Sequence, residues 1–319
     1  MSAYPNQPTL DVQKIERALH QIFPILPIHV ERVATGISTY VYRIAYRNEL
    51  FYLRILPEAG ASFAPEVAVH TRLHQMGVKV PEVIHFEEYN DILHCSIMVT
   101  TEIKGQPVSQ LPALSQQQAA RIVMEAGQDL ARINSVPVEG FGWVERERPD
   151  TTRLQADMPT FRSFALEFWQ ADLAYLAQHA ITAVEVALLE RVLARCDAWL
   201  DVEHACLAHG DLDATHVYQQ DGQYRGIIDF GEIRGADRWY DLAHFHMRDG
   251  EELPYHLTSS LVYGYGEIAA LPSDYEQHIR FTSLLINVRT LARSLQTRPP
   301  NQYTQHQLVV LREDLKALL

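Results

Sequence analysis

Apolar residues recur at Val12, Ile15, Ala18, Leu19 and Ile22, a three-and-four spacing that lines one face of a helix, so a helix is predicted over 11–23. After Pro24 the pattern changes. Alternating and β-branched stretches predict strands over 29–34, 39–46 and 50–55, the last two joined as a hairpin at 47–49. Helical spacing over 65–76 is followed by two strand-like stretches, 81–86 and 92–101. A long helix is predicted over 115–135, where Ala119, Ile122, Val123, Ala126, Leu130 and Ile133 share a face, and further helices over 161–178 and 183–200. Phe164, Phe168, Trp169 and Tyr175 fall at helical spacing and are expected in the core. Beyond Ala243 the chain reads as helical to its end, with Gly264, Gly266 and Pro272 as breaks.

The segment 206–243, CLAHGDLDATHVYQQDGQYRGIIDFGEIRGADRWYDLA, fits neither pattern for long. It predicts a short strand at 206–208, a polar loop, a strand pair turned at Asp221-Gly222, and an apolar run ending at Asp229. Asp211, then His216 five positions on, then Asp229 thirteen beyond that, form a spaced set of ligand-type residues. Phosphoryl transfer needs such a set: one carboxylate to accept a hydroxyl proton, and another donor to hold a divalent cation against nucleotide phosphates.

Composition narrows the field. A chain of 319 residues, 47% hydrophobic and 21% charged, is long enough for two globular domains. The net charge of −13 argues against nucleic acid or an anionic membrane as partner; it suits a cationic substrate, or simply solubility. Three isolated cysteines, Cys95, Cys196 and Cys206, fit a reducing cytoplasm better than a disulfide framework or zinc site. No basic region precedes an apolar run at the N-terminus, and no uncharged apolar stretch nears the ~20 residues that span a bilayer.

At His209-Gly210-Asp211-Leu212, Ile228-Asp229-Phe230-Gly231 and 235–243 (GADRWYDLA) the chain resembles the aminoglycoside phosphotransferase and choline kinase-like family. Glu102-Ile103-Lys104-Gly105 and the stretch LARINSVPVEGFGW are similar to it as well, so the resemblance covers about 33–243. It implies a protein-kinase-like α+β fold: a sheet-rich N-lobe over 1–103, a mainly helical C-lobe over 104–319, and nucleotide in the cleft between. The implied activity is transfer of the γ-phosphoryl group of ATP or GTP to a hydroxyl of a small acceptor of antibiotic, sugar or amino-alcohol type.

The resemblance also implies roles. Asp211 takes the acceptor's proton, while Asp229 and His216 hold magnesium, with manganese as a substitute. Gly36, Ser38 and Thr39 belong to the loop over the phosphates. Arg54 grips the non-transferred phosphates, oriented by Glu66 or, as competitor, Glu58. Thr101 and Ile103 lie in a hinge whose backbone meets the purine. His209 and Asp241 brace the catalytic loop; for Asp237 the residue type by itself suggests no more than a cap on the helix that follows. Two positions depart from the pattern: Arg54 replaces the usual lysine, and His216 the usual asparagine, although magnesium prefers oxygen donors. A nucleotide-binding pseudokinase is therefore one alternative. The crowd of His204, His209, His216, His244 and His246 raises another, a histidine-metal hydrolase, although two rings at i and i+2 on a helix face different ways. Either a monomer or a homodimer fits.

Overall fold

The computed structural model describes residues 11–24, 29–33, 39–110, 114–147 and 153–319. They cluster into two compact units. One holds the chain up to Arg72, Pro81–Glu102 and a short segment beginning at Arg146; the other holds Leu73–Val80, Ile103–Glu145 and the remainder to Leu319.

In the first unit, α1 (Val12–Ile22) is capped by Asp11, whose carboxylate accepts the Gln13 N–H at 3.0 Å, and buries Ile15, Ala18 and Leu19. It packs on an antiparallel sheet of β1 (His29–Val33), β2 (Tyr40–Tyr46), β3 (Glu49–Leu56), β4 (Val83–Asn90) and β5 (Cys95–Thr101), with α2 (Ala64–Gln75) following β3 in the chain. The strand order is β1-β2-β3-β5-β4. Alternation decides which face is buried: Leu53, Ile55, Ile97 and Val99 point into the α1 core, as a period of two requires. Arg47 and Asn48 both take positive φ (50° and 66°), the turn that matches strand twist in a two-residue hairpin. The strand predicted from residue 92 begins later, at Cys95, because Asn90 Oδ1 accepts the N–H groups of Ile92 and Leu93 (3.1 and 2.9 Å) and closes a turn there.

The second unit begins with β6 (Gln106–Pro107) and α3 (Gln116–Ile133), which opens on a Ser115/Gln118 capping box. Short strands follow: β7 (Pro137–Val138), β8 (Phe141–Val144) and β9 (Ala156–Met158). Next come α4 (Phe161–Ala165), α5 (Trp169–His179) and α6 (Ala183–Arg195), so the helix predicted over 161–178 is two helices. Then follow β10 (Ala205–Ala208), β11 (Val217–Gln220), β12 (Gln223–Ile227), β13 (Arg234–Ala236) and four helices: α7 (Tyr240–Arg248), α8 (Thr258–Ile268), α9 (Tyr275–Thr297) and α10 (Gln302–Ala317). The strands form two sheets, ordered β7-β10-β13-β8-β9 and β12-β11-β6.

Gly264 and Gly266 do not break α8, contrary to expectation. A Cβ on Gly264 would lie 1.8 Å from the Met124 carbonyl oxygen, and one on Gly127 would lie 2.1 Å from that of Leu261. Glycine there lets α3 and α8 touch backbone to backbone. Among the described residues, no helix is long and apolar enough to cross a membrane.

Candidate active site

β10 ends at Ala208 and the chain enters a loop held from below. Asp241, wholly buried on α7, accepts the N–H groups of His209 (2.9 Å) and Gly210 (2.8 Å) on its two oxygens. Asn134 donates to Asp241 (3.2 Å) and to the Leu207 carbonyl (2.8 Å). Hydrogen bonds to a buried carboxylate contribute about 1.5–3 kcal/mol each, enough to fix the loop backbone. Gly210 has φ +89°, and a Cβ there would lie 2.0 Å from the Glu232 carbonyl oxygen, so only glycine fits.

His209 ties this loop to the strand leading into Asp229. Its Nε2 lies 2.8 Å from the Ile228 carbonyl oxygen, so that nitrogen carries the proton, and Nδ1 accepts the Asp211 N–H at 3.3 Å. Burial, then the charge of His216, lower its pKa and keep the ring neutral, so it serves as a brace. Asp229 itself takes a left-handed φ of +66° and is exposed. Such backbone strain in a non-glycine residue collects at functional sites.

The His216 ring is more constrained than its sequence position suggested. Nδ1 donates to the Asp211 carbonyl at 2.7 Å and lies 3.3 Å from Asp213 Oδ1. Burial disfavours its charge, but Asp213, with Asp211 and Asp229, outweighs that and raises its pKa to about 9. A cation at Nε2, the nitrogen left for one, would therefore compete with a proton. Asp213 cannot stand in as the ligand without breaking bonds: it accepts the Thr215 N–H (2.8 Å) and hydroxyl and the Arg248 Nε (3.2 Å). Against burial, the neighbouring His216, Arg248 and Thr215 hold its carboxyl far below the usual carboxylate range.

The Asp211 side chain is 47% exposed, and its Oδ1 lies 3.4 Å from Nε2 of His244 on α7. His244 Nδ1 is 3.0 Å from the Leu212 carbonyl oxygen and so carries a proton. Thirty-three positions apart in the chain, the His244 and Asp211 side chains meet only through the fold. Both line a cavity of about 240 Å³, together with Trp143, Phe164, Phe168 and Trp169. Of the aromatics expected in the core, Trp169 is buried as expected at the cavity wall, whereas Phe164 is half-buried and Phe168 is 40% exposed there. The interruption between α4 and α5 takes Phe168 out of a continuous buried stripe.

The other histidines disperse. His246 reaches Asp314 at 2.9 Å, on a different face from His244. Among the described residues no group of three or more histidine, cysteine or acidic side chains is set to hold a metal. Asp237 lies ahead of the α7 N-cap residue, Trp239, and its Oδ2 accepts the Thr282 hydroxyl at 3.3 Å.

In the first unit, Thr39 is buried beside β2, and Arg54 lies mid-sheet opposite Val41 and Met98 with its guanidinium 5.8 Å from the Phe63 ring centre. Glu66 is wholly buried and bonded by Arg146, whose Nε is 2.9 Å from Oε1. The two partners are 80 residues apart in the chain. Thr101 closes β5 by accepting the Glu82 N–H on its hydroxyl (2.9 Å) and donating its own N–H to the Glu82 carbonyl (2.9 Å). Ile103 begins the second segment of the second unit. Gly36 and Ser38 lie outside the described residues.

A five-stranded antiparallel sheet unit, a mainly helical unit, and an Asp-bearing loop clamped by a later buried aspartate define a kinase-like fold. The profile of the phosphotransferase enzyme family matches residues 29–277, and the chain belongs to that family. It is 23% identical over 226 residues to an aminoglycoside 3'-phosphotransferase of Enterococcus faecalis, covering 64% of this chain and 73% of the relative. Among solved structures, it is similar to a thermostable mutant of aminoglycoside phosphotransferase APH(4)-Ia in ternary complex with AMP-PNP and hygromycin B. The TM-score is 0.67 at 16% identity, over 95% of this chain and 98% of the other. A mutant aminoglycoside 2'-phosphotransferase IIIa in complex with GDP is similar as well, with a TM-score of 0.64 at 16% identity over 96% and 98% of the two chains.

Proposed function

We propose that this family member transfers the γ-phosphoryl group of ATP or GTP to a hydroxyl of a small molecule, with Asp211 as the group that accepts the hydroxyl proton. The observation that carries the reading is the half-exposed Asp211 carboxylate at the wall of the 240 Å³ cavity, on a loop whose backbone is fixed by Asp241. A base placed there meets an acceptor held in the cavity.

The remaining roles follow the family pattern. Asp229 offers an exposed carboxylate, the hard oxygen donor that magnesium prefers, and His216 would add Nε2. When bound, the cation supplies charge neutralisation for the nucleotide phosphates. Thr39 and Arg54, with Gly36 and Ser38, are proposed for the phosphates, and Thr101 and Ile103 for the base. Glu66 is proposed to act through Arg146, its bonded cation. ADP or GDP release against a panel of hydroxyl acceptors tests the reading. Asp211→Asn should lose roughly 100- to 10,000-fold of the turnover while binding Mg-nucleotide as wild type does. A variant that kept most of its turnover would remove Asp211 from the chemistry.

A further inference from the structure

We infer that the cavity beside Asp211 takes a hydroxyl compound built on an aromatic or flat apolar ring and carrying no net positive charge; the inference rests on the phosphotransfer reading. Its walls point that way first. Trp143 and Phe168 stay 41% and 40% exposed there, and large rings are left in water at a cavity mouth chiefly where a ligand covers them. Two cations stiffen these rings. The Arg234 guanidinium lies 4.2 Å from the Trp143 ring centre and 5.0 Å from that of Tyr240, and Arg289 lies 3.7 Å from that of Phe168.

Charge points the same way. Four carboxylates line the cavity, Glu167, Asp172, Asp211 and Glu232, against three guanidinium groups, Arg234, Arg289 and Arg293. Two of the acids are already engaged: Asp172 accepts Arg289 NH1 on both oxygens (3.1 and 3.2 Å), and Glu232 pairs with Arg234 at 3.1 Å. Apart from Asp211, the balance is therefore even, although the whole chain carries −13. The acidity of this protein lies elsewhere, and an acceptor with several ammonium groups would be desolvated here without matching carboxylates. At about 240 Å³ the cavity lies near the lower end of small-molecule pockets, roughly 300–1,000 Å³, which suits a compound of one or two rings.

Calorimetry on the full chain with magnesium and AMP-PNP present tests this with two hydroxyl probes, uncharged phenyl β-D-glucopyranoside and the dicationic aminocyclitol 2-deoxystreptamine. The glucoside should bind at least about tenfold more tightly, and Trp143→Ala should weaken it by about tenfold. Should Trp143→Ala lose its circular dichroism, Phe168→Ala, on another element, should show the same weakening. Tighter binding of 2-deoxystreptamine, no glucoside binding while AMP-PNP binds, or unchanged glucoside affinity in a folded ring variant would each overturn the acceptor class alone. Wild-type protein that fails to bind AMP-PNP would overturn the phosphotransfer reading, and this inference with it.

Discussion

Beside the Asp211 carboxylate the structure sets the ring of His244, 3.4 Å from Oδ1. With Nδ1–H committed to the Leu212 carbonyl, the ring can meet the carboxylate only through Nε2. At 3.4 Å from Oδ1 it leaves Oδ2 for the acceptor, and it is a positioning residue for the proposed base. Because small displacements of a reacting group cost rate, His244→Phe is expected to lower kcat by at least about tenfold with nucleotide affinity unchanged; an unaltered kcat would make the contact merely structural. His216→Asn restores the oxygen donor of the family pattern. Turnover should persist, with the magnesium-over-manganese ratio rising; equal metal preference in both proteins would show that His216 does not touch the cation.

At the scale of elements, α7 runs alongside the catalytic loop. Asp241, His244 and Arg248, at i, i+3 and i+7, share one face and meet in turn the backbone of His209 and Gly210, the Leu212 carbonyl with Asp211, and Asp213. His246 falls off that face and goes to Asp314. The α3–α8 contact is the other decisive element pairing. Gly264→Ala should destabilise by about 1–3 kcal/mol through overpacking, despite roughly 1 kcal/mol gained in helix propensity. Gly266→Ala meets only the flexible Leu271 side chain, at 3.3 Å, and should be neutral or stabilising. Urea denaturation of both variants checks this, and equal midpoints would refute the close-contact argument.

At the scale of the whole molecule, the buried Asp237 should make stability depend on pH. Burial raises the Asp237 pKa from 3.8 to about 7, against the opposing Thr282 hydroxyl and the N–H groups of Trp239 and Tyr240. The folded chain thus keeps a proton that the unfolded chain gives up above pH 3.8. This contribution to stability is whole below about pH 4, declines as pH rises, and is lost above about 7. Asp237→Asn removes the dependence, so its unfolding free energy relative to wild type, from urea titrations at each pH, should climb between pH 4 and 7 by an amount on the order of 4 kcal/mol and level off beyond. A difference that stays flat with pH would mean that Asp237 is ionised when folded.

Local chemistry made much of this protein legible in its sequence. Hydrophobic spacing located α1, α3 and the sheet hairpin, since burying one face is a property of each segment alone. The order of Asp211, His216 and Asp229 pointed to phosphoryl transfer because a short loop and a short strand pair hold them close. Only the tertiary structure decided what depends on distant partners: Arg146 against Glu66, His244 against Asp211, the engagement of Asp213 by Arg248, and glycines that join helices instead of ending them. The four pairings of the β7-β10-β13-β8-β9 sheet were equally out of reach, because strands of two to four residues carry too little periodicity to read. The character of the cavity belongs there too, since its rings and arginines come from β8, α4, the α4–α5 link, α5, β13, α7 and α9, and no pattern along the chain records which side chains folding gathers around one carboxylate.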